Sequence, residues 1–352
     1  MSDFIDQAQA RILAAHANGT PLRIRGGGSK DFFGGERVGE VLDTAGHSGV
    51  ISYDPSELVL TVKAGTPLRE VEATLAAAGQ CLPFEPPHFG SAATVGGCVA
   101  SGLSGPRRPY AGAVRDYLLG VTLIDGRGES LRFGGQVMKN VAGFDTFRLQ
   151  AGAMGTLGLI TEVSFKVLPK PESDETRVFV SGAAEAIATM NKLAGQPLPL
   201  AAAVHRDGQL TLRLAGNPAA VSAALAKLGG DPLVDAASFW TSIREQTHPF
   251  FAGDAPLWRL SVKPTAPPLA ADGIDELIDW GGGQRWLRTT LPVDAVRALA
   301  AQHGGHATAH RGVDRQHAFQ PPSAAVMALH RRLKATFDPA GILNRGRLYP
   351  DF

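Results

Sequence analysis

The sequence predicts an α+β protein built from two domains, and three observations carry that prediction. Its 352 residues exceed what one hydrophobic core usually serves. Short strand-like runs fill the first 170 residues and are punctuated by glycine clusters; glycine reaches 42 of 352 residues, about 12%, against a usual level of about 7%. At Pro169–Thr176 (PKPESDET) the chain turns polar and proline-punctuated, and beyond it strands and helices alternate without further glycine loops. The first domain is therefore set at residues 1–170 and a smaller α+β cap at 171–322. A last helix and an irregular tail occupy 323–352.

Bulk composition excludes several classes. Apolar residues at 44% with charged residues at 19% describe a folded globular chain rather than a disordered one. Lysine and arginine number 34 against 33 acidic residues, and the basic ones are scattered, which leaves no footprint for nucleic acid. Cys81 and Cys98 are too few for a disulfide framework or an iron–sulfur cluster and fit a reduced, cytoplasmic setting. The N-terminus has neither the basic start nor the apolar core of a secretory signal, and no apolar run reaches spanning length. Any membrane contact, at the inner face, would come through partners.

In chain order, Phe4, Ile5, Ala8, Ile12 and Leu13 mark one face of an opening helix. Pro21–Arg25, Gly39–Asp43 and Glu57–Lys63 read as strands, the last with apolar alternation at Leu58, Leu60 and Val62. Thr66 as N-cap, Pro67 at the first helical position and Glu70 near the capping-box position open a helix that stops at Gly79. Gly120–Asp125 and Ser130–Phe133 form a hairpin across Gly126-Arg127-Gly128, and Leu159–Leu168 is a long strand. In the cap, strands are expected at Arg177–Ser181, on both sides of the Asp207-Gly208 turn, at Gln284–Leu291 and at His306–Arg311. Helices are expected at Ala183–Leu193, Ala219–Leu228, Val293–His303 and Ser323–Phe337.

Two glycine loops carry the chemistry. Arg25-Gly26-Gly27-Gly28-Ser29-Lys30 follows a strand; successive glycine amides form a nest for a pyrophosphate, with a hydroxyl from Ser29 and a cation from Lys30. Alone, such a run is more often an ordinary turn than a phosphate loop, and it lacks the spacing of a Rossmann fingerprint. The second cluster, Thr94-Val95-Gly96-Gly97 running to Ser101-Gly102, opens a short helix capped by Thr94.

Five segments in order, RGGGSK, TVKAGTPLREVEATLAAAGQCLPFEPP, SAATVGGCVASG, VRDYLLGVTLIDGRGE and KNVAGFDTFRLQAGAMGTLGLITEVSFKVLP, resemble the PCMH-type FAD-binding domain of the vanillyl-alcohol oxidase-like enzymes. A sixth, LKATFDPAGILNRGRLYPDF, resembles that family's closing segment, which returns to the flavin domain. The resemblance implies FAD held by Arg25, Gly26, Gly27, Gly28, Ser29 and Lys30 on one side and by Thr94, Val95, Gly96 and Gly97 on the other. It implies Ser101 and Gly102 along the flavin channel, Gly155, Gly158 and Ile160 beside the adenosine half, and Asn344 near the ribityl chain. Where some members attach flavin through a histidine, this chain has Ser29-Lys30, so the FAD is expected to be non-covalent. Two further departures are Arg345 in place of a proline and Tyr110-Ala111-Gly112 in place of a Tyr-Gly step.

The cap segments WTSIREQTHPFF, LWRLSV and GHAT resemble the FAD-binding E subunits of bacterial glycolate oxidases (glycolate dehydrogenases), which assemble with a larger flavin subunit and an iron–sulfur subunit. A 2-hydroxy acid needs a cation for its carboxylate and a base for its hydroxyl; Arg244 or Arg259 with His248 or His310 would supply them. The same residues read more readily as decoration of a packed cluster of Trp240, Phe250, Phe251 and Trp258, or as a partner face. His303, His306 and His310 lie in a β-like run without a carboxylate, so no metal site is expected. The functions left open are a catalytic or electron-relaying flavin subunit, an assembly subunit with structural FAD, and a stand-alone hydroxy-acid or alcohol oxidase.

Overall fold

The computed structural model describes residues 4–135 and 144–352. Helix α1 (Phe4–Asn18) buries Ala8, Ile12 and Ala15, whereas Leu13, expected on that face, is 52% exposed and lies against Gly128. Strands β1 (Leu22–Arg25) and β2 (Glu40–Asp43) pair in parallel. Strand β3 (Val50–Asp54), which the sequence did not reveal, pairs antiparallel with β4 (Val59–Lys63). Burial in β4 is continuous from Val59 to Val62, not alternating, and Leu58 stands outside it at φ 57°. Both faces of this strand are covered, which erases the period-two signal.

Helix α2 (Leu68–Ala77) is not capped by Thr66. The Thr66 hydroxyl donates to the Lys63 carbonyl at 2.6 Å and accepts from the Gly49 amide at 2.9 Å, so it closes the preceding turn. The helix's first amide, Leu68, goes to the Ala93 carbonyl. In return Val95 and Gly96 donate to the Thr66 and Ala64 carbonyls at 2.9 and 2.7 Å, fixing the second glycine loop against the end of β4.

Strand β5 (Gln80–Cys81) precedes three short helices, α3 (Val95–Ser101), α4 (Arg108–Ala111) and α5 (Val114–Tyr117). Strands β6 (Leu118–Ile124) and β7 (Ser130–Gly134) form the expected hairpin, and β8 (Leu159–Lys166) completes an antiparallel sheet of order β3-β4-β8-β6-β7. Strand β9 (Leu168–Pro169) pairs with β5. The stretch Lys139–Gly143, part of the fifth family-like segment, lies outside the described residues.

What read as a linker is already strand: β10 (Ser173–Val180) begins four residues earlier than expected. Its pairing with β12 overrides the local polarity of Ser173–Thr176. Helix α6 (Ala183–Ala194), strands β11 (Leu200–Arg206) and β12 (Gln209–Gly216), helix α7 (Pro218–Leu228), strand β13 (Asp231–Pro232) and helix α8 (Ala236–Glu245) follow. Strands β14 (Leu257–Ser261), β15 (Ile274–Asp279) and β16 (Gln284–Thr289), helix α9 (Val293–Gln302), strand β17 (His306–Arg311) and helix α10 (Ala324–Phe337) complete the chain's regular elements. One eight-stranded sheet, β13-β10-β12-β11-β15-β16-β14-β17, spans the cap.

Alternation along its strands sorts the two faces. Ala203, Leu210, Ile278, Leu287, Leu260 and Ala307 pack with α6 and α9, while Ala202, Val204, Leu277 and Trp286 turn to α8, Phe250 and Phe251 on the opposite face. The closing segment returns to the first domain. Lys334 Nζ, buried, donates to the Thr156 carbonyl, the Leu343 carbonyl and Asp338 Oδ2, and Asp338 accepts the amides of Ile342 and Leu343.

Candidate functional site

The two glycine loops meet edge to edge. A Cβ on Gly27 would overlap the Ala92 carbonyl oxygen, and one on Gly26 would overlap the Thr94 hydroxyl, so only glycine lets the loops approach this closely. Thr94 caps α3 as expected, accepting the Gly97 amide at 3.3 Å. Between the loops lies a cleft enclosing about 830 Å³ of non-atom space, part of it open to solvent. Its wall includes Arg25, Gly26, Gly27, Gly28, Ser29, Lys30, Thr94, Gly96, Gly97, Ser101, Gly155, Gly158, Ile160 and Asn344. Val95 and Gly102 stand outside it: Val95 is fully buried in the hydrophobic core, and Gly102 is the left-handed C-cap of α3 packed on Gly152.

Sequence reasoning missed part of this wall. Arg23, Arg37 and Arg347 join Arg25 and Lys30, so five cationic side chains face the cavity against one carboxylate, Asp31. Asp31 binds Arg25 and Arg37, each at 3.3 Å. The Nε of Arg23 is buried without a hydrogen-bond partner among the described residues. Arg347 donates to the Gly35 and Phe33 carbonyls, and burial with neighbouring Arg315 lowers it to about 10. The strand position of Arg23, one residue from the alternation-facing Ile24, was available in the sequence; Arg347 was not, because only the folded tail brings it here. Lys30 is tethered to the His88 carbonyl at 3.3 Å, and burial lowers its pKa against the opposing pull of Cys98 and Glu245.

Asn344 is committed to structure as well as to the wall. Its Nδ2 donates to the Met154 carbonyl at 2.6 Å, its Oδ1 accepts the Ile24 amide at 2.7 Å, and it holds φ at 45°. An orphaned buried donor, glycines that clear the centre and a strong cationic excess together fit a large dianionic dinucleotide such as FAD.

A second, smaller pocket, open to solvent, lies between the domains. The first domain contributes Phe89 and Leu103–Pro106, and the cap contributes Arg244, Gln246, Arg259, Asp279, Gln284, Trp286 and His310. Three of the four sequence-nominated catalytic residues thus come together. His248 does not: it caps the turn at Phe250 and stacks edge-on with Phe239. The Arg244 Nε is engaged by Glu245 at 2.8 Å. The Arg259 guanidinium has neither a hydrogen bond nor an ion pair among the described residues, and burial with nearby Arg108 lowers it to about 10, so it remains a cation. His310 contacts Gln246 Oε1 at 3.0 Å through Nε2 and is ringed by Phe32, Phe33 and Trp286. Burial, then Arg259 and Arg311, push its pKa well below the ordinary value, so the imidazole is neutral. Asp279, which sequence reasoning missed because it sits among ordinary strand-end polar residues, is buried on this wall and pushed up to about 7 by burial. Among the described residues no cluster suited to a metal ion is present.

Residues 4–134 match the FAD binding domain family and residues 281–348 the FAD linked oxidases, C-terminal domain. The chain is 44% identical over 349 residues to the glycolate oxidase subunit GlcE of Escherichia coli (strain K12), covering 99% of this chain and 98% of that protein. It is 33% identical over 127 residues to the glycolate oxidase subunit GlcD of Bacillus subtilis (strain 168), 36% of this chain and 27% of the other. Among solved structures, an alkyldihydroxyacetonephosphate synthase shares the fold with a TM-score of 0.65 at 17% identity, over 96% of this chain and 74% of that one.

Proposed function

This chain belongs to the GlcE family of FAD-linked oxidases, and from that membership we propose that it is the FAD-bearing subunit of a multi-subunit glycolate (2-hydroxy acid) oxidase. It is an FAD-dependent oxidoreductase acting on CH–OH groups, and the bound flavin supplies the two-electron acceptor. The observation that carries the reading is the single cavity formed where two glycine loops cross under five cationic side chains.

In this reading Gly26–Ser29 and Gly96–Gly97 hold the pyrophosphate and Arg23, Lys30 and Arg347 balance its charge. Gly155, Gly158 and Ile160 line the adenosine side, and Asn344 fixes the tail over it. Among the described residues the wall contains no histidine, cysteine or tyrosine, which supports non-covalent FAD. Arg259, free of a carboxylate partner, takes the substrate's carboxylate at the domain junction.

Electrons leave for partner subunits, a larger flavin subunit and an iron–sulfur subunit, because two cysteines do not ligate a cluster. Among the described residues no helix is long and apolar enough to cross a membrane, and contact with the inner face of a cytoplasmic membrane is assigned to the partners. The test is to express the chain alone and with candidate partner subunits, then measure FAD content, co-purification and glycolate-dependent dye reduction. Flavin that is released intact by acid, with activity gained on assembly, is expected. A flavin-free chain sinks the reading, and full activity from the isolated chain replaces it with a stand-alone oxidase.

A further inference from the structure

We propose that Asp279 is the group that takes the hydroxyl proton of a 2-hydroxy acid seated in the interdomain cavity with its carboxylate on Arg259. This rests on the hydroxy-acid reading above and adds a catalytic residue to it.

Register places the two residues on one face of the cap sheet. Arg259 of β14 pairs with Trp286 of β16, and Asp279 of β15 pairs with Gln284 of β16. Gln284 and Trp286 are two apart and share a face, so Arg259 and Asp279 flank β16 on the same side, offset by one pleat. The offset is about 10 Å across the strands and about 7 Å along them. Both side chains line the cavity. The Arg259 guanidinium lacks an internal carboxylate, so the negative end of a ligand has one obvious partner here.

Two groups on this wall are able to accept a proton, and their surroundings separate them. His310 directs Nε2 to Gln246, and its Nδ1 is buried without a partner among the described residues, enclosed by aromatic rings and close to Arg259 and Arg311. An imidazolium formed there would sit between two cations without a counter-charge. Asp279 is already organised as an acceptor, with Oδ1 on the Trp280 amide at 2.7 Å and Oδ2 on the Gln284 amide group at 3.0 Å. The Trp286 side chain donates to the same carboxylate, and of its roughly four acceptor positions one remains for the substrate.

The charged and titratable groups around it are few. Glu85, held by Arg213, and Tyr110 face it from the first domain. Arg259, His310 and Arg244 share its cavity, and Arg108 stacks on neighbouring Trp280. Burial opposes ionisation while three donors, the Trp280 amide and the Gln284 and Trp286 side chains, favour it, which poises the carboxyl near neutrality, the range in which proton transfer is most efficient. In the step, the substrate O–H bond breaks and its proton passes to Asp279. The C2–H bond breaks, and its electron pair would be taken up by FAD, which supplies the two-electron acceptor when bound. The C2–O bond becomes a carbonyl, and a 2-oxo acid results.

The experiment uses the FAD-loaded full chain for binding and its assembled complex for turnover, with oxalate as a non-oxidisable probe. Asp279→Asn is expected to keep its FAD and to bind oxalate within about threefold of wild type, yet to lose about 100-fold or more in kcat. It should also lose the ascending limb of the pH profile near pH 7, which Asp279→Glu should partly restore. Wild-type protein that carries FAD but binds no oxalate, or that binds oxalate but reduces no dye with glycolate, overturns the inference while the FAD assignment stands. So does an Asp279→Asn complex that keeps the limb, or a His310→Gln complex that alone loses it. A wild-type chain without FAD fails the underlying reading instead.

Discussion

The carboxylate of Glu245 accepts the backbone amide of Phe89 at 2.8 Å, reaching across 156 residues to latch the cap onto the first domain. The same Oε2 accepts the His88 amide at 3.1 Å, and Arg244 steadies Oε1. Lys30 of the first glycine loop hangs from the His88 carbonyl, and Phe89 lines the interdomain cavity. One carboxylate therefore sets the loop that lines the interdomain cavity and anchors Lys30 on the wall of the other.

Glu245→Ala should leave two amides without acceptors and cost about 2 kcal/mol, the range for hydrogen bonds to a charged group at a site that water partly reaches. Denaturant melts measure the loss, and amide exchange at positions 88 and 89 locates it. Unchanged exchange at both positions would show that the latch is ornamental.

Gly97→Val and Gly27→Ala should fail in opposite ways. A Cβ on Gly97 meets only the Thr94 hydroxyl, at 3.2 Å, so the fold persists while the larger side chain intrudes on the cavity. Flavin content should fall by at least tenfold with little change in the melt of the flavin-free protein. A Cβ on Gly27 collides with the Ala92 backbone, so that variant should lose stability before any ligand is considered. Normal flavin content in Gly97→Val would reduce the second loop to an ordinary turn.

The contrast between these glycines also shows how far the sequence could be read. Local signals found the loops, the hairpin and most cap elements, since glycine runs and apolar periods are written in neighbouring residues. They misassigned Thr66, whose hydroxyl is claimed by Lys63 and Gly49 rather than by the helix that follows. They took Ser173–Thr176 for a linker because strand pairing with β12 leaves no trace in a polar tetrapeptide. They missed Asp279 and Arg347 for a common reason: each matters through what the fold brings beside it, and no spacing records that. They nominated His248, an apparently suitable base, which the turn before Phe250 uses as a cap.

Asn344→Ala should release the tail. The substitution removes the acceptor of the Ile24 amide and the donor to the Met154 carbonyl, and leaves alanine at a φ of 45° that asparagine tolerates better. A loss of about 2–4 kcal/mol is expected, with faster exchange over residues 338–352 and weaker FAD binding. Because Lys334 and Asp338 still hold the start of the segment, global unfolding should not follow at room temperature. Exchange in the tail that matches wild type would sink this account.

Stability should also report the state of Asp279 independently of turnover. Its carboxyl moves from an ordinary 3.8 to about 7 in the fold, so between those values the unfolded chain releases a proton that the native chain retains. Native stability must then fall as pH rises through this window, by a total of about 4 kcal/mol, and level off above pH 7. Asparagine has no proton to release. Asp279→Asn should therefore match wild type near pH 4 and exceed it at pH 8, with the gap opening between. His310, whose pKa is lowered, works in the opposite direction as pH falls below its ordinary range, but it is common to both proteins and cancels in the comparison. Paired denaturant melts at saturating FAD across pH 4 to 8 make the measurement. A wild type at least as stable as Asp279→Asn at pH 8 would mean that the fold accepts the ionised carboxylate without penalty, and the raised proton affinity argued for this residue would be gone.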